Sequence, residues 1–147
     1  MYLTYEQYEE MGGTLDDTIF NSFEYEAETI VNWYTFNRLR GEETYPEELP
    51  RCMYRLIELL KLRADAMILG KLEGGSNDGS NEGLYIQSQS NDGVSVSYNS
   101  INVSDLFKDL SFTAKGNPFE TTVFRYLQGV RNSKNKRLTY RGLYPDE

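Results

Sequence analysis

Carboxylate pairs are the side chains in this sequence whose type and spacing could do chemistry. Four adjacent pairs occur in the first 50 residues: Glu9–Glu10, Asp16–Asp17, Glu42–Glu43 and Glu47–Glu48. Two neighbouring carboxylates can exchange a proton with a substrate or bind a cation. Each pair, however, falls in a predicted first turn, helix face or loop, where the helix dipole and solubility account for acidic residues. We therefore predict that these pairs are structural.

The other residue types used in catalysis are scarce. Histidine is absent and cysteine occurs once, as Cys52, within a helical pattern that predicts a small buried side chain. The commonest general base and the commonest metal ligand are thus missing. The segment SNDGSNEG has the Asp, Asn and Gly of a calcium loop without its ligand spacing. We predict that the chain is not an enzyme and holds no metal or cofactor.

Charge is unevenly distributed along the chain, which carries a formal net charge of −8. Residues 1–114 contain 8 Lys/Arg against 20 Asp/Glu, whereas residues 115–147 contain 7 against 3. An acidic body and a basic C-terminal segment can attract a neighbouring copy or another acidic partner. Alternatively, the basic segment could contact nucleic acid. Its cations include Arg131, Lys134, Lys136, Arg137 and Arg141.

Two long segments have apolar residues at helical spacing, which predicts a mainly α fold. The first is expected to start at Thr14 and to end with Arg38 and Arg40 in its last turn, before Gly41. The second begins at Pro46, and the short connection predicts antiparallel packing. Their apolar faces comprise Phe20, Phe23, Ala27, Ile30, Val31 and Tyr34 in the first helix, and Met53, Leu56, Ile57, Leu60, Ala64, Met67 and Ile68 in the second.

Shorter helices flank this pair. Thr4 and Gln7 predict a capping box at the start of the first of them, which Gly12–Gly13 closes. A second covers residues 103–110, and FETTVFRYLQGV predicts the last. The predicted fold class is mainly α: a helical bundle with two long antiparallel helices, shorter flanking helices and a small β-hairpin.

The predicted hairpin lies in SQSNDGVSVSYNS and the residues just before it. Apolar and polar residues alternate over Leu84–Gln89 and again over Val94–Asn99, on either side of Asn91-Asp92-Gly93. A lone two-stranded hairpin is only marginally stable in water, so it must pack on the helices or pair with another chain. We predict a flexible loop at residues 73–83 and an extended C-terminal tail at residues 132–147.

Length and hydropathy predict a single domain over residues 1–147. No apolar run approaches the about 20 residues that a membrane-spanning helix needs. The acidic start MYLTYEQYEE does not resemble a signal peptide, which has a basic start and an apolar core. We therefore expect a cytoplasmic protein that does not interact with membranes.

The chain resembles a known family over nearly its whole length. The runs YLTYEQYEEMGGTLDDTIFNSFEYEAETIVNWYTFNRL, YPEELPRCMYRLIELLKLRADA, SQSNDGVSVSY, YLQGV and LTYRGLYP together resemble the head–tail connector, adaptor or head-completion proteins of long-tailed phages and prophages of Gram-positive bacteria. The resemblance implies a non-enzymatic structural protein that forms a homo-oligomeric ring of about a dozen copies below the portal protein. Such a ring extends the channel for passing DNA, without sequence recognition, and meets the next neck or tail-completion protein.

The resemblance also suggests interface residues and a location. The hairpin would contact neighbouring copies or the next neck component, and the tail would dock on the portal or an adjacent subunit. The protein would be found in the virion neck, after assembly in the host cytoplasm. Two alternatives are a stopper or tail-completion protein of the same neck and, from a different class, a small nucleic-acid-binding protein. The expected interface residues are Ser90, Asn91, Asp92, Val94, Val96 and Tyr98 in the hairpin, and Leu138, Tyr140, Arg141, Leu143 and Tyr144 in the tail.

Overall fold

The computed structural model describes residues 1–74, 88–91, 94–97 and 116–145 of the chain. This part is mainly helical, which confirms the predicted α class. The helices are α1 (Tyr5–Glu10), α2 (Asp17–Tyr34), α3 (Glu48–Gly74) and α4 (Pro118–Leu127). The strands β1 (Ser88–Asn91) and β2 (Val94–Ser97) pair antiparallel, with Ser88 opposite Ser97 and Asn91 opposite Val94.

Helix α1 begins and ends as its sequence predicts. The Thr4 hydroxyl accepts a hydrogen bond from the Gln7 N–H, and the Gln7 side chain accepts one from the Thr4 N–H. At the other end Gly12 adopts a left-handed conformation with φ of 92°. The N–H groups of Gly12 and Gly13 donate to the carbonyls of Glu9 and Tyr8, which is the Schellman pattern for a helix C-terminus.

Both ends of α2 differ from the prediction. The helix starts at Asp17, not Thr14, because the Asp16 carboxylate caps it by accepting the Ile19 N–H at 3.0 Å. It stops at Tyr34, so Arg38 and Arg40 lie in the following turn and not in the last helical turn. Between these ends, the predicted face is buried at Phe20, Ala27, Ile30 and Val31.

Helix α3 starts two residues after the predicted Pro46 and continues to Gly74. The predicted loop 73–83 therefore cannot begin at Glu73, which is still helical. Pro50 lies in the first turn, where the missing N–H breaks no helical hydrogen bond. The remaining predictions for the middle of the chain lie outside the described residues: the loop from 75 to 83, residues 84–87, Asp92, Gly93, Tyr98 and the helix at 103–110.

The core lies where α3 packs against α2 and α4, and it also receives side chains from both ends of the described chain. Among the described residues, every buried side-chain nitrogen and oxygen has a hydrogen-bond partner. The burial of Cys52 agrees with its predicted structural role. The largest fully buried side chains are Leu3, Tyr8, Phe20, Val31, Leu39, Leu49, Met53, Leu56, Ile57, Phe119, Leu127 and Leu138.

A buried carboxylate anchors the residues before α1. Glu24 is almost fully buried, and its Oε1 accepts the N–H groups of Tyr2 at 2.7 Å and Leu3 at 3.5 Å. The Tyr2 hydroxyl in turn donates to the Asn32 Oδ1 at 2.6 Å. Burial, together with the nearby charge of Glu28, raises the pKa of Tyr2 to about 12. The start of the chain is therefore held along α2 by polar contacts as well as by packing.

The close approach of Gly13 to the Tyr8 ring gives the first testable prediction. A Cβ atom built on Gly13 would lie 2.2 Å from the ring of Tyr8, which is fully buried. We expect Gly13→Ala to lower the free energy of unfolding by about 1–3 kcal/mol, because the ring has no room to move. Urea denaturation measures the change. In a Tyr8→Leu background the cost of Gly13→Ala should shrink; an equal cost in both backgrounds would contradict the steric explanation.

The buried thiol predicts how stability depends on pH. Burial raises the pKa of Cys52 from 9.0 to about 12. Between these values the unfolded chain loses the thiol proton and the folded chain keeps it, so the free energy of unfolding falls as pH rises through this window. The fall from this group is at most about 1.4 kcal/mol per pH unit, and below pH 9 its contribution is constant.

Urea denaturation of the wild type and of Cys52→Ala, from about pH 8 to pH 11, tests this expectation. The variant is expected to be less stable near pH 8 because it has a cavity, so the slope with pH is the quantity to compare. Its stability should decline less steeply with pH than that of the wild type. Parallel slopes would show that the pKa of Cys52 is the same in the folded and the unfolded chain, which would contradict the expectation.

Candidate interaction surface

The turn after α2 has a backbone conformation that is unusual for its residue types. Phe36 and Asn37 both have positive φ values, 55° and 57°. Their N–H groups donate to the carbonyls of Trp33 at 3.4 Å and Asn32 at 2.8 Å, which is again the Schellman pattern. Glycine usually occupies the position of Phe36, and a bulky side chain there is strained. The strain implies that the surrounding contacts hold Phe36 in place.

The same turn directs Arg38 towards the C-terminal segment. The Arg38 side chain is almost fully buried, and its Nη1 donates to the carbonyl oxygens of Arg137, at 3.0 Å, and Tyr140. Its Nη2 donates to the carbonyl of Gly142 at 2.9 Å. Hydrogen bonds from a charged donor are stronger than neutral ones, and each typically stabilises a fold by about 1.5–3 kcal/mol. Arg38 therefore fixes the path of residues 137–142.

Aromatic rings flank the Arg38 guanidinium. Its Cζ lies 5.1 Å from the centre of the Phe36 ring and 5.0 Å from that of Tyr144. The Lys136 Nζ lies 5.5 Å from the Tyr144 ring, and the Tyr144 hydroxyl accepts the Arg137 N–H at 2.9 Å. Cation–π contacts of this kind contribute about 0.5–2 kcal/mol, depending on desolvation. The Arg38 guanidinium thus connects the turn after α2 to Tyr144, near the end of the described residues.

Residues 128–145 form a folded segment, in contrast to the extended tail that the sequence predicts. The Leu138 N–H donates to the Val130 carbonyl at 2.9 Å, and the Asn132 N–H donates to the Lys136 carbonyl at 3.0 Å. Glu42 adds a contact from the turn, because its carboxylate accepts from the Asn132 side chain and the Ser133 N–H. The contacts from Glu42 and Arg38 join residues that are 90 or more positions apart, and this is why composition alone predicts a loose tail.

Four apolar side chains form a surface at this end of the molecule, which we call the tail patch: Phe36, Tyr140, Leu143 and Tyr144. Phe36 is 48% exposed, Tyr140 50% and Leu143 85%. The Tyr140 and Tyr144 ring centres are 5.5 Å apart. Gly142 allows this arrangement, because a Cβ atom there would lie 2.5 Å from the Tyr140 ring. The tail patch is therefore ordered although it is exposed.

A second group of exposed aromatic residues lies on the outside of α2. Tyr25 is 74% exposed and Trp33 is 77% exposed. They are eight residues apart, so they lie on one side of the helix, about two turns from each other. Trp33, the single tryptophan of the chain, is adjacent to the buried stripe in sequence but lies outside the core. We call this side the α2 outer face.

The structure places the predicted interface residues in different environments. In the tail, Tyr140, Arg141 and Leu143 are exposed and Tyr144 is partly buried, whereas Leu138 belongs to the core of its own chain. Arg141 donates to the Glu120 Oε1 at 2.9 Å and also lies over the Phe124 ring. Leu138 is thus not available to a partner in this conformation. Of the hairpin residues, Ser90 and Asn91 lie in β1 and Val94 and Val96 in β2, while Asp92 and Tyr98 lie outside the described residues.

Sequence reasoning missed three residues that shape this region: Phe36, Arg38 and Trp33. The helical pattern predicts that Arg38 lies at a helix end, and it predicts no role for Phe36. The available signal was Asn37, since asparagine tolerates the left-handed conformation that ends helices. Trp33 could have been recognised because it falls between two positions of the buried stripe.

Three of the residues whose side chains could take part in catalysis or metal binding have structural roles. Asp16 caps α2, Glu42 holds the C-terminal segment and the Cys52 thiol is buried. Within the described ranges, no group of three or more His, Cys, Asp or Glu side chains could hold a metal ion. No helix in the described part of the chain has the length and apolar character needed to cross a membrane.

Comparison with known proteins identifies no relative of this chain. No family model, curated protein or solved structure matches this chain.

The Arg38 contacts predict that a conservative substitution will destabilise the tail. Lysine keeps the charge but lacks the planar set of donors that reaches several carbonyls. We expect Arg38→Lys to lower the free energy of unfolding by about 2 kcal/mol. Because the tail is then held less firmly, trypsin should cleave it faster after Arg137 and Arg141. Urea denaturation and mass spectrometry of timed digests measure both effects.

The matched control is Arg40→Lys, which changes an exposed arginine of the same turn. We expect its effect on the free energy of unfolding to stay within about 0.5 kcal/mol, with unchanged digestion. If the two variants have equal stability and equal digestion, Arg38 does not fix the tail.

Proposed function

We propose that this chain is a non-enzymatic structural component of a phage neck, a head–tail connector that forms a ring below the portal and extends the DNA channel. The observation that carries the proposal is the exposure of large apolar side chains on a body with a well-packed core. Contiguous exposed apolar patches on soluble proteins often mark sites where other chains bind. The sequence resemblance supplies the class of assembly.

The α2 outer face supports a role in protein–protein contact. Tyr25 and Trp33 lie on a regular helix, which fixes their backbone positions. Only the few torsions of each ring must then be ordered on binding, so little conformational freedom is lost. Tyrosine and tryptophan are enriched among the residues that dominate binding energy at interfaces. We expect this face to contact a neighbouring copy or the portal.

The proposal includes finer features of the fold. In it, α2 and α3 form the antiparallel pair of a helical bundle. The strands β1 and β2 form a hairpin whose polar residues keep it soluble before assembly. An exposed strand edge can pair with a strand of another chain, so the hairpin would meet a neighbouring copy or the next neck component. Val94 and Val96 would supply its apolar side chains.

The two alternatives differ from the connector in what they bind. A stopper or tail-completion protein of the same neck would bind the connector ring and not the portal. A nucleic-acid-binding protein would use the basic side chains of the C-terminal segment. Three of these have partners within the chain: Lys136 is buried against Tyr144, Arg141 bonds to Glu120, and Arg131 donates to Asn135. This arrangement favours a structural role for the segment over a nucleic-acid surface.

Co-sedimentation with the portal ring of the same phage or prophage tests the proposal. We expect the chain to move with the portal ring and to add a layer of density below it in electron micrographs. Co-sedimentation with the next neck protein alone would indicate the stopper alternative. Salt-dependent binding to duplex DNA without portal binding would indicate the nucleic-acid alternative. Absence of portal binding under all conditions would contradict the connector assignment.

The α2 outer face yields a variant prediction within this assay. We expect Trp33→Ala to weaken incorporation into the portal-bound ring by about tenfold or more, because exposed tryptophans at interfaces commonly contribute more than 1 kcal/mol. Leu62→Ala, which truncates an exposed aliphatic side chain on α3, is the control and should bind as the wild type does. Equal binding by both variants would exclude the α2 outer face from the assembly.

A further inference from the structure

The two ends of α2 carry opposite charge. At its N-terminal end lie exposed carboxylates from α1 and the start of α2, which we call the acidic end: Glu6, Glu9, Glu10, Asp16 and Asp17. At its C-terminal end lies the tail patch, within a segment where residues 116–145 contain six Lys/Arg and one Asp/Glu. Two carboxylates near the patch, Glu42 and Glu120, are bound to partners in their own chain.

Both ends also expose apolar side chains. Met11 and Ile19 are exposed beside the acidic end, and Leu143 is the most exposed residue of the tail patch. The exposed cations Lys134 and Arg137 lie in the same segment as the tail patch, where Arg141 is paired with Glu120. Lys61 of α3 reaches the acidic end, where its Nζ donates to the Thr14 hydroxyl at 2.7 Å, but the five carboxylates outnumber it. Each end thus combines apolar side chains with an excess of one charge, and the two signs are opposite. Complementary charge around an apolar centre is the usual composition of a specific protein interface.

The distance between the two ends decides how they can meet. Helix α2 has 18 residues, so it is about 27 Å long. The acidic end and the tail patch therefore lie too far apart to touch within one molecule. A contact between them joins two copies head to tail, and repetition of such a contact builds a ring when the rotation closes.

We propose that the tail patch binds the acidic end of a second copy of this chain. This inference rests on the proposed connector function and names the two faces through which its copies meet. The contact uses Leu143 and Tyr140 as apolar anchors, and Lys134 and Arg137 face carboxylates of α1 in the neighbour. Because Arg38 already orders the tail patch, little conformational freedom is lost when the neighbour binds.

Reversal of charge on each face separately provides the test. One variant carries Lys134→Glu and Arg137→Glu, the other carries Glu9→Lys and Glu10→Lys, and a third carries all four changes. All four side chains are exposed, so circular dichroism and thermal melts should show folded proteins. Sedimentation velocity over a concentration series, at low and at high salt, measures self-association of the full chain.

We expect the wild type to associate with rising concentration, and more strongly at low salt. Each double variant should associate about tenfold more weakly, because like charges then face each other. An equimolar mixture of the two double variants, and the variant with all four changes, should both regain association. Leu143→Ser should weaken it without a change in salt dependence.

Two results would overturn the inference. If the double variants associate as the wild type does, or their mixture does not regain association, the copies meet through other faces. A wild type that stays monomeric at all concentrations and salt levels would also exclude this contact. Co-sedimentation with the portal ring is a separate measurement, so the connector function can hold when this contact fails.

Discussion

The hydrogen bonds of the Arg38 guanidinium are the interaction on which the arrangement of the C-terminal segment depends. Residues 137–142 form neither a helix nor a regular strand, so their carbonyls need donors from elsewhere in the chain. A planar guanidinium with five N–H groups can supply several of them from one buried position. The segment and the turn after α2 therefore stabilise each other, although about 100 residues separate them in sequence.

The turn that presents Arg38 is built at a local energetic cost. Helices α1 and α2 both end in a Schellman pattern, but Gly12 occupies the left-handed position in α1 and Phe36 occupies it in α2. A residue with a Cβ atom is less stable there by roughly 1 kcal/mol. The contact between the Phe36 ring and Arg38 offsets part of this cost. A glycine at position 36 would relieve the backbone and remove the ring from the tail patch.

The sequence predicts the local features of this fold well and the long-range ones poorly. The capping box at Thr4 and the buried face of α2 follow from spacing and residue type, and both are correct. Because glycine is the usual residue just after a helix, the sequence predicts that α2 ends before Gly41, whereas Phe36 occupies the left-handed position that follows the helix. The path of the tail could not be predicted, since it depends on Arg38, a residue that the pattern assigns to a helix end. Of the interface residues that the resemblance suggests in the tail, Tyr140 and Leu143 are exposed, whereas Leu138 is buried in the core of its own chain.

An ordered tail lowers the conformational entropy that this chain would lose in the proposed assembly. If residues 137–145 were extended before binding, each would lose backbone freedom on assembly, at roughly 1–2 kcal/mol per residue. In the structure the chain's own folding has already fixed most of them, through the contacts of Arg38 with residues 137–142 and with the Tyr144 ring. In the ring that we propose, a contact between copies could then be weak at each step and still lead to closure, because every copy would present both faces in advance. Weak preformed contacts would also allow a wrongly placed copy to dissociate before the proposed ring closes.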